Sequence, residues 1–117
     1  MVTECFVPRL LRFDEEALST LVRCEGVGVA ALRCRERHVL ARQHLRDGLQ
    51  RFVAGRLDAH TFYVWADCFE AVEWIDYEDG FEEGIADGLF QISTPEVNGV
   101  LTSEVARRML IRLQDVG

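Results

Sequence analysis

The chain of 117 residues contains no lysine, so all thirteen of its cations are arginines. From residue 57 to residue 106 there is no arginine or lysine, against twelve carboxylates. That absence makes nucleic acid a poor partner for this half, because binding it depends on cations that neutralise phosphates. No apolar run reaches the roughly 18–20 residues that span a bilayer, so no membrane segment is expected. The start MVTECFVPRLLRF lacks a basic opening followed by an unbroken apolar stretch, so no signal peptide is read and the expected compartment is the cytoplasm. The four cysteines, Cys5, Cys24, Cys34 and Cys68, form no C-x-x-C pair. Without a secretory signal a disulfide framework is not expected, and Cys68 reads as a small core residue.

What is present is a globular composition, 49% hydrophobic, at a length suited to one domain over residues 1–117. Charge is unevenly spread. Residues 1–56 carry ten arginines against seven acids. The stretch Asp58–Asp87 then carries ten carboxylates, both tryptophans, both tyrosines and three of the seven phenylalanines. Such asymmetry bears on partner choice rather than on fold.

The periodicity is helical throughout. Asp14 ahead of Glu15 and Glu16 is a capping start, followed by Leu18, Leu21 and Val22, with Gly26 and Gly28 as terminators. A second helix starting between Val29 and Glu36 runs to Ala54, with Leu32, Val39, Leu40, Leu45, Leu49, Phe52 and Val53 on one stripe. Gly55 reads as its C-cap and Asp58 as the next N-cap. From Ala59 nothing breaks the pattern before Gly80. Phe62, Trp65, Ala66, Cys68, Phe69, Val72 and Ile75 share its core arc, and Phe81, Ile85, Leu89 and Phe90 mark a following amphipathic helix. STPEVNG is turn chemistry, and Thr102 opens a last helix with Val105, Met109, Leu110 and Leu113. No alternation suggests a strand. The expected fold is all-α, a single-domain bundle of four or five helices.

Catalytic and metal-binding patterns are missing. A calcium loop around Asp76–Glu83 would place Ile75 or Phe81 where oxygen ligands are needed. His38, His44 and His60 match no metal motif, the lone Gly26-Val27-Gly28 is not a phosphate loop, and no nucleophile is flanked by a base. No metal, cofactor or enzymatic activity is expected. What remains is a line opposite the core arc: Tyr63, Asp67, Glu70, Trp74 and Tyr77, at offsets of four, three, four and three, with Glu78 at its edge. Burial of that line on a second face of a central helix is one reading, although Asp67 and Glu70 would then need buried partners. The other is a protein interface, in which aromatic anchors supply desolvated area and carboxylates meet a basic partner. Asp79, Glu82 and Glu83 extend the candidate partner-binding set.

Two passages carry a resemblance. Gly55-Arg56-Leu57 followed by Phe62 and Trp65, and Leu89-Phe90-Gln91-Ile92 running into Pro95-Glu96-Val97-Asn98-Gly99 and Leu101-Thr102, are similar to passages of small helical bacterial toxin-immunity proteins. These are the colicin-D-immunity-like and contact-dependent-inhibition immunity families. The likeness covers about residues 48–113, with Thr94 standing where the pattern usually has Asn. It implies a non-enzymatic inhibitor of a cognate toxin domain, often a nuclease with a basic cleft, and none of the family's interface residues transfers by position. The alternative is a self-associating structural or adaptor module, in which a homodimer pairs the acidic helix with the Arg-rich helix of another copy. An enzyme acting on a small cationic substrate is a more distant alternative.

Overall fold

The helix starts that the sequence marks are built as capped termini. In the computed structural model, which describes residues 7–23, 37–71 and 75–114, Asp14 accepts the Ala17 N–H at 3.0 Å and Asp58 accepts the Thr61 N–H at 2.7 Å. These open α2 (Glu15–Arg23), which follows the short α1 (Val7–Leu11), and α4 (Ala59–Ala71). Between them lies α3 (Arg42–Val53), closed by Gly55 at φ +80°, a left-handed conformation that favours glycine. Three more helices follow: α5 (Glu82–Ser93), α6 (Pro95–Asn98) and α7 (Ser103–Gln114), whose start is capped by Thr102 on the Val105 N–H. The fold is predominantly helical, with five helices of nine residues or more and two short ones among the described residues.

The expected core is present. Phe62, Trp65, Ala66, Cys68 and Phe69 of α4 are buried, α5 packs along that helix, and α7 packs across α3. The Trp65 indole N–H donates to the Leu10 carbonyl at 2.9 Å inside the core, which ties α1 to α4. Phe13 turns the chain between α1 and α2 with φ +57°, strained for a bulky residue. The turn stacks its ring on Trp65, with centroids 4.8 Å apart. Gly48, a costly residue inside a helix, is explained here. A Cβ on it would lie 2.6 Å from Phe13 Cζ and 2.8 Å from Phe62 Cε1.

Two expectations are corrected. A parallel pair of short strands, β1 (His38–Leu40) and β2 (Ile75–Tyr77), stands where helix was expected, in register His38 with Ile75 and Leu40 with Tyr77. Three residues are too few to display period-two alternation, so the helical pattern on either side swallowed them. Consequently α3 starts at Arg42, Val39 is 52% exposed on a strand rather than on a helical stripe, and α4 ends at Ala71. The sheet is clamped at its start by Arg37, whose Nε and Nη2 bond the two oxygens of Asp76 at 2.9 and 2.7 Å. The readings on Cys5, Gly26, Gly28, Leu32, Val72 and Trp74, and on Cys24 and Cys34, fall outside the described residues.

The new start of α3 lacks its own cap, since Ala41 has no side-chain acceptor. Two other groups substitute. His44 Nδ1 accepts the Ala41 N–H at 2.8 Å, and Glu78 Oε1 accepts the Arg42 N–H at 2.9 Å from across the fold. An acceptor Nδ1 is an unprotonated Nδ1, and burial lowers the His44 pKa below its ordinary 6.5 against the opposing charges of Asp47 and Glu78. A depressed folded pKa means that the unfolded chain binds the proton first, so stability held above about pH 6.5 is lost as pH falls. The thermal midpoint should therefore drop between pH 7 and 5.5, and His44→Asn should remove much of that slope. Gly48→Ala should lower stability by about 1–3 kcal/mol through overpacking, measured by denaturant unfolding.

Candidate functional site

The acid–aromatic line does not survive as one helical row. Tyr63, Asp67 and Glu70 lie along the outer side of α4, but Tyr77 stands on β2 instead. Trp74 lies outside the described residues. Tyr63 is half-buried against the core, its ring centroid 6.1 Å from that of His60. Tyr77 is also half-buried. Burial, and next the charge of Glu70, push its phenol above the usual tyrosine range, which places the Glu70 carboxylate in its electrostatic neighbourhood.

The carboxylates sort into inward and outward groups. Glu78 is half-buried and committed to the α3 start, where its charge also faces the positive end of the helix dipole. Asp76 is exposed but neutralised by Arg37, which lowers its pKa through a hydrogen-bonded ion pair. Glu70 Oε1 accepts the Ser93 hydroxyl at 2.6 Å, joining the C-terminal turns of α4 and α5 while the rest of the side chain stays exposed. Glu82 accepts the Gly80 N–H at 3.0 Å in the turn that Gly80 forms at φ +89°. Asp67, Glu70, Asp79, Glu82, Glu83 and Asp87 face solvent on α4, the β2–α5 turn and α5.

Sequence reasoning missed two members of this surface, Asp87 and Phe90. Phe90 was expected on the core stripe of α5 but is 47% exposed, whereas Ile85 and Leu89 are fully buried. The signal was available. An offset of five from Ile85 places Phe90 about 140° away, while offsets of seven and three place it with Glu83 and Asp87.

The chemistry on offer is that of a charged surface. Cys68 is buried, and burial followed by the Asp67 charge pushes its thiol up to about 12, so it is no nucleophile at neutral pH. Ser93 is 4% exposed, its hydroxyl spent on Glu70 and on the Phe90 carbonyl. Among the described residues no three His, Cys, Asp or Glu side chains converge to hold a metal ion. No described helix is long and apolar enough to cross a membrane. No protein-family model, no curated protein and no solved structure matches the chain.

Phe90 and Phe69 give a direct contrast in stability. Phe69→Ala, in the core, should cost about 3–5 kcal/mol in denaturant unfolding. Phe90→Ala should stay within about 0.5 kcal/mol of the parent.

Proposed function

We propose that the chain is an immunity protein, a non-catalytic inhibitor that captures a basic toxin domain, of nuclease type, on its acidic face. The observation that carries this reading is the outward sorting of carboxylates. Asp67, Glu70, Asp79, Glu82, Glu83 and Asp87 face solvent on α4, the β2–α5 turn and α5, in a stretch of sequence that contains no arginine or lysine. A cleft that holds a phosphate backbone is lined with positive charge, and a row of carboxylates competes for it by imitating that backbone. Complementary fields also accelerate capture, which suits an inhibitor that must reach its target before the target acts. Tyr63 and Tyr77, half-buried, and Phe90, half-exposed, supply apolar area beside the charges.

The resemblance to small helical immunity proteins adds support from another direction. Its residues fall on the Gly55 helix stop, on the core residues Phe62 and Trp65, on the α5–α6 corner, where Pro95 occupies the first turn of α6, and on Leu101 and the α7 cap Thr102. The expected setting is the cytoplasm of the cell that makes the toxin, and no cofactor, metal or nucleic acid takes part.

The test begins with the reading frame next to this chain, which the proposal expects to encode a toxin tip. Co-expression should protect cells that the tip otherwise kills. The variant Asp79→Lys/Glu83→Lys should keep its helical circular dichroism and thermal midpoint while its association rate with the tip falls about ten- to a hundredfold. Unchanged affinity in that variant would remove the acidic face from the interface.

A further inference from the structure

Two glycines of α5 face its neighbours, and packing demands only one of them. A Cβ on Gly88 would lie 2.6 Å from Leu45 Cδ2, so α3 leaves space for a hydrogen alone. A Cβ on Gly84 would meet nothing closer than Leu113 Cδ2 at 3.9 Å, an ordinary contact. Gly84 also has no positive φ that would call for glycine. Glycine in a helix is less stable than alanine, by less in the first turn where Gly84 stands, and no contact within the monomer calls for it. Its missing side chain helps keep open a shallow cavity of about 80 Å³ on the seam between α5 and α7, floored by Gly84, Gly88, Met109 and Leu113.

The two banks of that seam carry opposite charge. Asp87 and Gln91 line it from α5 and Arg112 lines it from α7. Beyond Asp87, Glu83 and Phe90 continue the outer face of α5, all within an arc of about 60°. Beyond Arg112, Arg108 and Ile111 continue the outer face of α7, where Ile111 is 66% exposed. Beside the cavity each bank thus holds charges of one sign and one exposed apolar side chain, and Glu104 lies one turn further out on the α7 face, before Arg108.

We propose that this seam is a self-association surface whose occupant is a second copy of the chain. A two-fold axis running along the seam lays the acidic bank of each copy over the basic bank of the other, twice over. Glu83 and Asp87 then face Arg108 and Arg112 of the second copy, and Phe90 faces its Ile111. A two-fold axis across the seam would stack like charges and is disfavoured. A purely basic partner, such as the toxin domain proposed above, fits the α5 bank but is repelled by α7, whereas a second copy satisfies both. This differs from pairing through the Arg-rich α3, because both charged surfaces lie on one face. It stands independently of the immunity reading, although a second copy would cover Glu83 and Asp87 and so exclude a basic partner there.

The face is small. Two helices of twelve residues side by side present about 18 by 20 Å, which sets the dimer at the weak, reversible end of specific contacts. Sedimentation velocity on the intact chain, from about 10 µM to 1 mM, should show a monomer–dimer equilibrium that weakens as salt rises. Asp87→Arg alone and Arg112→Asp alone should each weaken the dimer about tenfold, and the double variant should return to within about threefold of the parent. Gly84→Leu, which fills the seam from the solvent side, should abolish the dimer without lowering the thermal midpoint. A monomer at every concentration overturns the proposal. So does a dimer indifferent to the single reversals, or a double variant as weak as the singles.

Discussion

The buried indole of Trp65 is the constraint on which the other parts depend. Its N–H lies inside the core, where an unsatisfied donor costs about 1–3 kcal/mol, and it is satisfied by the Leu10 carbonyl of α1. That bond fixes the N-terminal corner onto the central helix. Phe13 accepts a left-handed backbone in order to stack on the same ring, and Phe62 and Phe69 close around it at 5.7 and 4.8 Å between centroids. Gly48 follows from this arrangement, because α3 can approach the Phe13–Phe62 pair only without a Cβ. The inner face of α4 is therefore wholly committed to packing, and its outer face is what remains for charge.

The acid-rich stretch serves two ends. Asp58, Asp76 and Glu78 are spent on structure, as a helix cap, a strand clamp and a remote cap on α3. Arg42 completes the last of these junctions. It lies 4.3 Å from the centre of the Phe81 ring and donates from its guanidinium to the Leu113 carbonyl, so one residue gathers the β2–α5 turn and the end of α7. Glu70 and Glu82 also hold local contacts, to Ser93 and to the Gly80 N–H, while their charges, with those of Asp67, Asp79, Glu83 and Asp87, set the field of α4 and α5. On α7 the arginines point outward in turn, which leaves the molecule with an acidic and a basic bank on either side of one seam.

The helices were legible because their starts are local chemistry. Asp14, Asp58 and Thr102 each cap within three residues, and the core arc of α4 repeats at helical spacing. The strands were not legible, because Ile75 fitted the preceding helical arc as well as it fits a buried strand position. Nor was the role of Glu78, whose partner at Arg42 lies 36 residues away and is fixed only by tertiary contact. For the candidate surface, Asp67 and Glu70 stand on the face that their spacing indicated. Tyr77 was carried off the row by the strand. Phe90 was misjudged because hydrophobicity was weighed above its angular position on α5.

The core consumes the aromatic residues on one face of α4, and exposed acids gather on the other. Self-association along the α5–α7 seam and capture of a basic domain by the acidic face draw on overlapping carboxylates, so the two would be in competition. The central claim is that long-range charge on α4 and α5 drives capture of a basic protein. Stopped-flow association with a basic nuclease-type toxin domain that the chain protects against, across a salt series from about 20 to 500 mM, tests it most directly. The expected result is an association rate that falls steeply with salt while dissociation changes little. An association rate flat across that series would contradict it.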